Sequence, residues 1–373
     1  MNTGIHPLRL MVKALLVAAL ADLAFGYYSP PVGYLSIYNR LIPGRLRFDA
    51  QSEAPDQFNQ DVLVFEDLPA MFTAHVLAAE PPPAGEFRVV FLGDSSIWGF
   101  SLPPSAIVTE QINQLGLIAC DGRRITAYDA AYPLPSFMRD LLILQEALKY
   151  EPDAIVWPVT LLTFLSRRSD LDFLRNQPDR VLDLVQQYDL KIEAEPYLRP
   201  AGFLDRTVIG QRIRLKKIFM EQLYGLRWVG TDMHTRLPPS TPLSADVEPS
   251  GAYYEFASPA DLPALAATLQ FGAIDAGLRM AGTVPVLVIN EPIYVAKGEN
   301  SAIRYNKYYP RWAYDDYRGR MGDWILARGV PYLDVWDAVP PEEFIGSPLH
   351  LTRRGERRLA VLLAPEILKL ACP

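Results

Sequence analysis

From residue 86 to the C-terminus, short apolar runs alternate with longer stretches in which apolar residues recur at helical spacing. The short runs are rich in β-branched and aromatic residues, which is typical of buried strands. They predict five strands, at residues 87–93, 124–130, 153–159, 284–290 and 331–336. The longer stretches predict helices at residues 138–150, 261–282, 314–329 and 354–371. This alternation predicts a three-layer α/β/α fold, in which helices cover both faces of a central parallel sheet.

A long insertion, residues 166–258, separates the third predicted strand from the fourth. Its apolar spacing predicts helices at residues 181–190 and 207–226, and a stretch rich in proline and serine, residues 237–252, predicts a loop. Such an insertion serves either as a lid or docking surface or as a plain elaboration of the scaffold. The sequence leaves both alternatives open.

An apolar run near the N-terminus, Leu10 to Tyr28, has roughly the 20 residues that span a bilayer. Arg9 and Lys13 lie at its start, so the positive-inside rule predicts a cytoplasmic N-terminus and an exported remainder. A single-pass signal anchor is therefore expected, with a cleaved signal peptide and a buried helix as alternatives. Asp22 within the run would need a partner or a proton.

The chain is accordingly expected to have three parts. Residues 1–28 form the transmembrane anchor, and residues 29–85 form a juxtamembrane segment that ends in a proline-rich linker. Residues 86–373 form the α/β domain, which is expected outside the cytoplasm.

Composition and charge exclude several classes of function. The formal net charge is −7, and no basic stripe is interleaved with aromatic residues, so no nucleic acid is expected as a partner. The two cysteines, Cys120 and Cys372, allow one disulfide bond but not a disulfide scaffold. No His/Cys cluster has metal-ligand spacing and no glycine-rich phosphate loop is present, so neither a metal nor another cofactor is expected.

The first chemical motif is GDSSIWG, residues 93–99, directly after the first predicted strand. A serine at a strand-to-helix turn exposes its hydroxyl group and directs its own N–H into the cleft, which suits a nucleophile that also binds an oxyanion. Ser95 is therefore the candidate nucleophile. The structural alternative is a turn with a helix cap, since Asp and Ser both cap helices well.

The second motif is SPLHLTRRGERRLA, residues 347–360, in which His350 precedes the last predicted helix. The loop after the fifth strand can return to the top of the first strand, where His350 would act as general base for Ser95. A lone histidine is often only a capping or packing residue. The order of the two motifs, and the elements that carry them, favour the catalytic interpretation.

With these motifs the chain resembles the SGNH/GDSL hydrolase family. The matching residues are GDSS at 93–96, YDAAYPLPS at 128–136 and HLTRRG at 350–355, within a region that runs from Phe87 to Cys372. The resemblance implies a flavodoxin-like fold and a Ser–His site for ester hydrolysis or acyl transfer. It also implies that Asp94 braces the active-site loops. The anchor and the general layout resemble exported members that modify cell-surface polysaccharides, such as alginate O-acetylation proteins and DltD-like proteins.

The chain departs from the family pattern at the position of the triad acid. The family places an aspartate three residues before the histidine, where this chain has Ser347. A triad acid orients the imidazole and stabilises its charged form, which an uncharged serine cannot do. Asp334, Asp337 or a backbone carbonyl group are the alternatives for orienting the imidazole of His350.

The oxyanion donors also differ from the family pattern. The stretch after the third strand is TLLTF, residues 160–164, which lacks the family's asparagine. Thr160 or Thr163 is the candidate replacement, with Thr160 taken as the oxyanion donor beside the backbone N–H groups of Ser95 and Ala131. Loss of one such donor typically lowers the rate about a hundred- to a thousandfold.

Asn290 and Glu291, at the end of the fourth strand, are candidates for substrate contact, or they simply begin a turn. The leading hypothesis is an esterase or O-acyltransferase that acts on a cell-envelope or extracellular glycan through an acyl-serine. The alternative is a catalytically impaired SGNH-like module that binds glycan or partners an integral-membrane acyltransferase.

Overall fold

The computed structural model describes most of the chain. The described residues are 6–35, 44–48, 67–79, 85–100, 102–133, 135–164, 177–190, 199–216, 218–219, 223, 243, 258–269 and 271–372. Structural statements below concern these residues.

Five parallel strands form the central sheet in the order β2-β1-β3-β4-β5. They are β1 Glu86–Phe91, β2 Arg124–Asp129, β3 Ala154–Val159, β4 Val286–Asn290 and β5 Tyr332–Asp334. The register places Val89 of β1 opposite Ala127 of β2 and Ala154 of β3. All six residues of β3 are buried, as expected for a parallel strand that is covered on both faces. The predicted α/β fold is confirmed, and its strand order is the flavodoxin-like one.

Helices surround this sheet and follow the predicted alternation. The described α-helices are α1 Pro7–Tyr28, α2 Leu68–Ala74, α3 Ser95–Trp98, α4 Val108–Asn113, α5 Phe137–Ala147, α6 Pro178–Tyr188, α7 Leu262–Thr268, α8 Gly272–Ala281, α9 Arg311–Arg328 and α10 Arg353–Ala371. α4 packs against α10, and α5 packs against α8. Their apolar faces and the sheet form one continuous core.

Two predicted helices differ from the structure. The single helix expected at 261–282 is two helices, because the chain leaves helical geometry at Leu269, which is buried, and Phe271 then packs against Phe164 and Trp324. The helix expected at 207–226 begins only at residue 212. Gly210 forms a turn there, and a Cβ atom at this position would lie 2.1 Å from the Leu204 carbonyl oxygen. Much of the remaining segment lies outside the described residues.

Parts of the segment between the N-terminal helix and β1 belong to the core. Phe48, Leu68 and Phe72 are buried in the same cluster as the sheet. Arg47 donates hydrogen bonds of 3.0–3.1 Å to the carbonyl oxygens of Trp98, Gly99 and Leu102, in the loop that follows α3. This segment therefore supports the loop next to Ser95.

α1 forms at the predicted apolar run and extends away from the domain, since residues 7–21 are all exposed. No helix among the described residues combines the length and the apolar character needed to cross a membrane. The predicted transmembrane anchor therefore has no support from the structure. Asp22 has a partner, because its Oδ1 atom accepts a hydrogen bond of 2.9 Å from the Ile209 N–H.

Cys120 and Cys372 form a disulfide bond. The bond joins the loop before β2 to the end of α10, across a sequence separation of 252 residues. It therefore ties the last helix to the edge strand of the sheet.

Candidate active site

Ser95 is the first residue of α3, at the carboxyl end of β1. The turn between them requires Gly93, whose φ is +121° and where a Cβ atom would meet the Ile97 side chain at 3.0 Å. Asp94 caps the helix by accepting a hydrogen bond of 2.8 Å from the Ser96 N–H. The cap interpretation is thus correct for Asp94, and it leaves the Ser95 hydroxyl group half-buried at the sheet edge.

His350 lies in the loop between β5 and α10. Its carbonyl oxygen accepts a hydrogen bond from the Ile345 N–H at 2.9 Å, and its own N–H donates to the Ser347 carbonyl oxygen at 3.2 Å. These bonds hold the loop so that His350 Nε2 lies 2.9 Å from Ser95 Oγ. The predicted proximity is present, at hydrogen-bond distance, and the catalytic role of the pair stays a prediction.

The surroundings of His350 keep its imidazole uncharged. The ring is buried and stacks on Phe100, with centroids 4.8 Å apart. Burial, with a smaller contribution from the positive charge of Lys307, lowers the pKa of His350 to about 4. The neutral form can accept a proton from Ser95, although a base with so low a pKa is a weak one.

Among the described residues, none of the three candidates for supporting His350 (Ser347, Asp334 and Asp337) is hydrogen-bonded to its ring. The Ser347 side chain accepts from the Leu349 N–H at 3.5 Å. Asp334 is bound to Arg318 at 2.7 and 3.0 Å and to Asn290 at 2.9 Å. Asp337 is exposed and has no hydrogen bond to His350. Among the described residues, the charge that shifts the pKa of His350 is the positive charge of Lys307, whereas a triad provides a negative one.

Two of the three predicted oxyanion donors are already engaged. The Ala131 N–H donates to Asp129 Oδ1 at 2.8 Å. Thr160 is buried, its N–H donates to Thr163 Oγ1 at 3.0 Å, and its hydroxyl group lies 2.8 Å from the Tyr309 hydroxyl group. The Ser95 N–H has no hydrogen-bond partner within the described parts of the chain. Ser95 itself is therefore the donor that is free to bind an oxyanion.

The two residues predicted to contact substrate are buried instead. The Asn290 amide donates to Asp334 and accepts from the hydroxyl groups of Tyr314 and Tyr317 at 3.3 and 3.1 Å. Glu291 accepts a hydrogen bond from the Ser96 hydroxyl group. The structure gives substrate contact by either residue no support, and both have a structural role beneath the site.

A group of acidic residues lies behind α3. Burial, followed by the negative charges of Asp94 and then Asp140, raises the pKa of Glu291 well above its ordinary value. Arg139 lies in the same place and donates to the Gly93 carbonyl oxygen at 3.2 Å and to Asp140 at 2.9 Å. Burial and these negative charges therefore favour the protonated, uncharged form of the Glu291 carboxyl group.

Three residues of the site were not predicted from the sequence. Ser96 was visible in the motif, but its hydrogen bond to Glu291 was not, because the two residues are 195 positions apart in the sequence. Phe100 follows the motif directly, so its closeness to the site could have been inferred from α3 being short. Lys307 comes from a loop before α9, and no pattern in the sequence connects it with His350. Among the described residues, no group of His, Cys, Asp and Glu side chains could hold a metal ion.

No family model matches the sequence, and no curated protein matches it. Among solved structures, the chain is similar to a lipase/acylhydrolase from Enterococcus faecalis, with 14% identity over 76% of this chain and 95% of that one. The TM-score is 0.34, too low to support an argument, so the fold assignment rests on the sheet order and the site on its own geometry.

Proposed function

We propose that this chain is a Ser–His-dependent esterase or O-acyltransferase that acts on a glycan through an acyl-serine. The observation that carries the proposal is the 2.9 Å contact between Ser95 Oγ and His350 Nε2 at the carboxyl edge of a parallel sheet. Ligands of such sheets bind at this edge. A serine activated by a neighbouring imidazole is the usual nucleophile for acyl transfer.

The chemistry needs one nucleophile and one proton carrier. His350 Nε2 takes the proton of the Ser95 hydroxyl group as Oγ bonds to the ester carbonyl carbon. The resulting oxyanion accepts a hydrogen bond from the Ser95 N–H. When the carbon–oxygen bond to the leaving alcohol breaks, His350 returns the proton to that alcohol. Water or a sugar hydroxyl group then attacks the acyl carbon and gives its proton to His350 Nε2. The bond between this carbon and Ser95 Oγ breaks, and His350 returns the proton to Oγ.

The proposal also includes a location outside the cytoplasm, with attachment to the membrane through α1. The disulfide bond between Cys120 and Cys372 supports export, because such bonds persist in oxidising compartments and are rare in the cytosol. A reporter fused after Pro373 that is active only when exported tests the location. Activity of a strictly cytoplasmic reporter at the same position would refute it.

Fluorophosphonate labelling tests the nucleophile directly. Wild type should be labelled, and Ser95→Ala and His350→Ala should lose the label while remaining folded. Ser105→Ala and His6→Ala are matched controls, because both residues are exposed and outside the site. Equal labelling of wild type and Ser95→Ala, or no labelling of folded wild type, contradicts the proposal.

Acyl acceptors separate hydrolysis from transfer. Unlabelled wild type should release acetate slowly from small acetyl esters, and a glycan acceptor should divert acetyl groups from water to sugar hydroxyl groups if transfer is the function. Mass spectrometry of the glycan checks this, with Ser95→Ala as the control.

A second candidate function is favoured by the missing acid. His350 has a lysine rather than a carboxylate as its charged neighbour, and two predicted oxyanion donors are engaged. A glycan-binding module, or a partner of an integral-membrane acyltransferase, would tolerate both features. Glycan affinity that is unchanged in Ser95→Ala, together with no fluorophosphonate labelling, would favour this second function.

A further inference from the structure

Most of the large apolar side chains that are exposed in the described structure lie in two places. The first is α1, where Leu15, Val17 and Leu20 are 63–66% exposed. The second is the segment at 203–216, where Leu204 is 72% exposed and Ile209 66%. We call residues 203–216 the helix-root segment.

The helix-root segment packs where α1 meets the rest of the protein. The Ile209 N–H donates to Asp22, and Gly26 lies so close to the segment that a Cβ atom there would be 2.9 Å from Thr207 Cγ2. Residues 7–21 of α1 extend beyond this contact and are exposed. The exposed apolar residues of α1 and those of the helix-root segment therefore belong to two elements that are in contact.

The segment also carries positive charge in an acidic chain. It contains four basic residues and one acidic residue, while the net charge of the chain is −7. Arg212 and Lys216 are exposed, and Arg206 lies 3.8 Å from Asp179 in an exposed pair. Arg214 is bound to Asp67 at the start of α2, which fastens the segment to the domain.

We propose that the helix-root segment rests on a lipid bilayer that contains anionic phospholipids. Exposed apolar residues flanked by Arg and Lys are the composition of segments that lie in the membrane interface. Each basic residue near an anionic surface adds about 1 kcal/mol, or about fivefold in binding. Leu204, Ile209 and Ile213 enter the boundary between head groups and acyl chains. Arg206, Arg212 and Lys216 contact phosphate groups.

This contact extends the proposed attachment through α1 and would fix the orientation of the domain. If α1 were the only contact with the bilayer, the domain could rotate about the end of this helix. A second, adjacent contact with the bilayer, held to the core by Arg214 and Asp67, removes that freedom. The same side of the α/β domain then always faces the membrane.

Hydrogen exchange of the full chain in lipid nanodiscs tests the proposal. Discs of phosphatidylcholine alone are compared with discs that contain about one-quarter phosphatidylglycerol, which carries the anionic surface charge. Backbone amides at 203–216 should exchange at least about fivefold more slowly in the anionic discs, and high salt should reverse the difference. Amides of α9, where Leu326 is 81% exposed, are the internal control and should not change.

Charge and apolar variants assign the effect to the segment. The triple variant Arg206→Gln, Arg212→Gln and Lys216→Gln should lose the dependence on phosphatidylglycerol. A matched triple variant on α10, Arg353→Gln, Arg358→Gln and Lys369→Gln, should behave as wild type. Leu204→Ser with Ile209→Ser should speed exchange in both kinds of disc, and Leu326→Ser should not.

Equal exchange at 203–216 in both kinds of disc, or wild-type behaviour of the first triple variant, would overturn the proposal. The helix-root segment would then contact a protein partner instead of a lipid surface. Turnover of a soluble acetyl ester should be unchanged in every one of these variants. Loss of Ser95 reactivity would overturn the proposed esterase without affecting the exchange result, so the two failures are distinguishable.

Discussion

Two neighbouring serines at the start of α3 have opposite partners. Ser95 is half-buried and bonds to His350, which comes from a loop and has no hydrogen bond to a carboxylate among the described residues. Ser96 is buried and bonds to Glu291, which continues directly from β4 and is surrounded by acidic groups. The site therefore contains carboxyl groups, but they lie behind the nucleophile instead of behind the base.

The two serines therefore have different roles: Ser95 is the proposed reacting group, and Ser96 holds α3 in place. The Ser96–Glu291 bond joins α3 to the sheet, and the Glu291 N–H donates to the Val159 carbonyl oxygen of β3 at 3.2 Å. Burial favours the uncharged form of Glu291, and in that form the carboxyl group holds α3 without adding negative charge behind an oxyanion at Ser95. We infer that the acidic group positions Ser95, while the proposed chemistry rests on the Ser95–His350 pair.

The sharpest way to break this comparison is to replace each serine in turn. Ser95→Ala should remove enzymatic turnover of p-nitrophenyl acetate, and in a well-studied protease the equivalent loss is roughly a millionfold. Ser96→Ala should lower turnover less than about tenfold and cost about 1 kcal/mol of stability, because it removes one hydrogen bond outside the reacting atoms. Steady-state rates and urea unfolding check both variants. An equal loss of turnover in the two would mean that Ser96 is part of the chemistry.

Substitution of Glu291 tests whether its hydrogen bond with Ser96 supports α3. Glu291→Ala should destabilise the fold by about 2–4 kcal/mol, since it leaves a cavity and an unpaired Ser96 hydroxyl group. Glu291→Gln keeps the shape and the acceptor, so both its stability and its turnover should remain near those of wild type. A Gln variant as damaged as the Ala variant would show that the carboxyl group itself is required.

The pH dependence of stability gives Glu291 a second signature. Its pKa in the folded chain is raised, so the folded state holds a proton that the unfolded chain releases above its ordinary pKa of 4.5. Stability therefore falls as the pH rises from 4.5 through the folded-state pKa. Glu291→Gln does not titrate, so urea unfolding at several pH values should show a shallower fall than in wild type.

An acid at position 347, three residues before His350 in the sequence, should increase activity. Ser347→Asp should increase turnover by about tenfold, well below the ten-thousandfold effect of a triad acid in a site evolved for one. A carboxylate there would also raise the pKa of His350, so the acidic limb of the pH–rate profile should move to higher pH. Ser105→Asp, on an exposed turn, is the control. Unchanged turnover and an unchanged limb would place Ser347 outside reach of the imidazole.

The sequence predicted the sheet and the dyad for physical reasons that the structure makes clear. Strands such as β3 are buried on both faces, so each is a continuous apolar run that is visible without any partner. Ser95 and His350 each lie on a loop at the carboxyl edge of the sheet, so the strand assignment alone brings them together. The geometry at this edge followed from local patterns.

The remainder of the site depends on contacts between distant residues. Asn290 and Glu291 have the polar character of substrate-binding residues, and only the tyrosines of α9 and the Ser96 hydroxyl group reveal their structural role. Whether the Ala131 N–H is free to bind an oxyanion depends on the side-chain rotamer of Asp129. The spacing of apolar residues in the sequence does not predict that rotamer. Asp22 and Ile209 are 187 positions apart in the sequence. Ile209 also lies next to a turn that interrupts the stretch predicted as a helix.

The smallest effect concerns the cation near the base. Lys307 lowers the pKa of His350, after the larger effect of burial, so Lys307→Gln should raise that pKa and move the acidic limb of kcat/KM to higher pH. An exposed charge in solvent is worth only about 0.2–1 kcal/mol, so the expected displacement is a few tenths of a pH unit. Lys297→Gln is the matched control, because Lys297 is exposed and is not among the charges that act on His350. Rates measured from about pH 3 to 8 resolve the limb near the His350 pKa of about 4. A limb near the ordinary histidine value of 6.5 in wild type would show that the imidazole is not desolvated, and the weak base that we infer beside Ser95 would be an ordinary one.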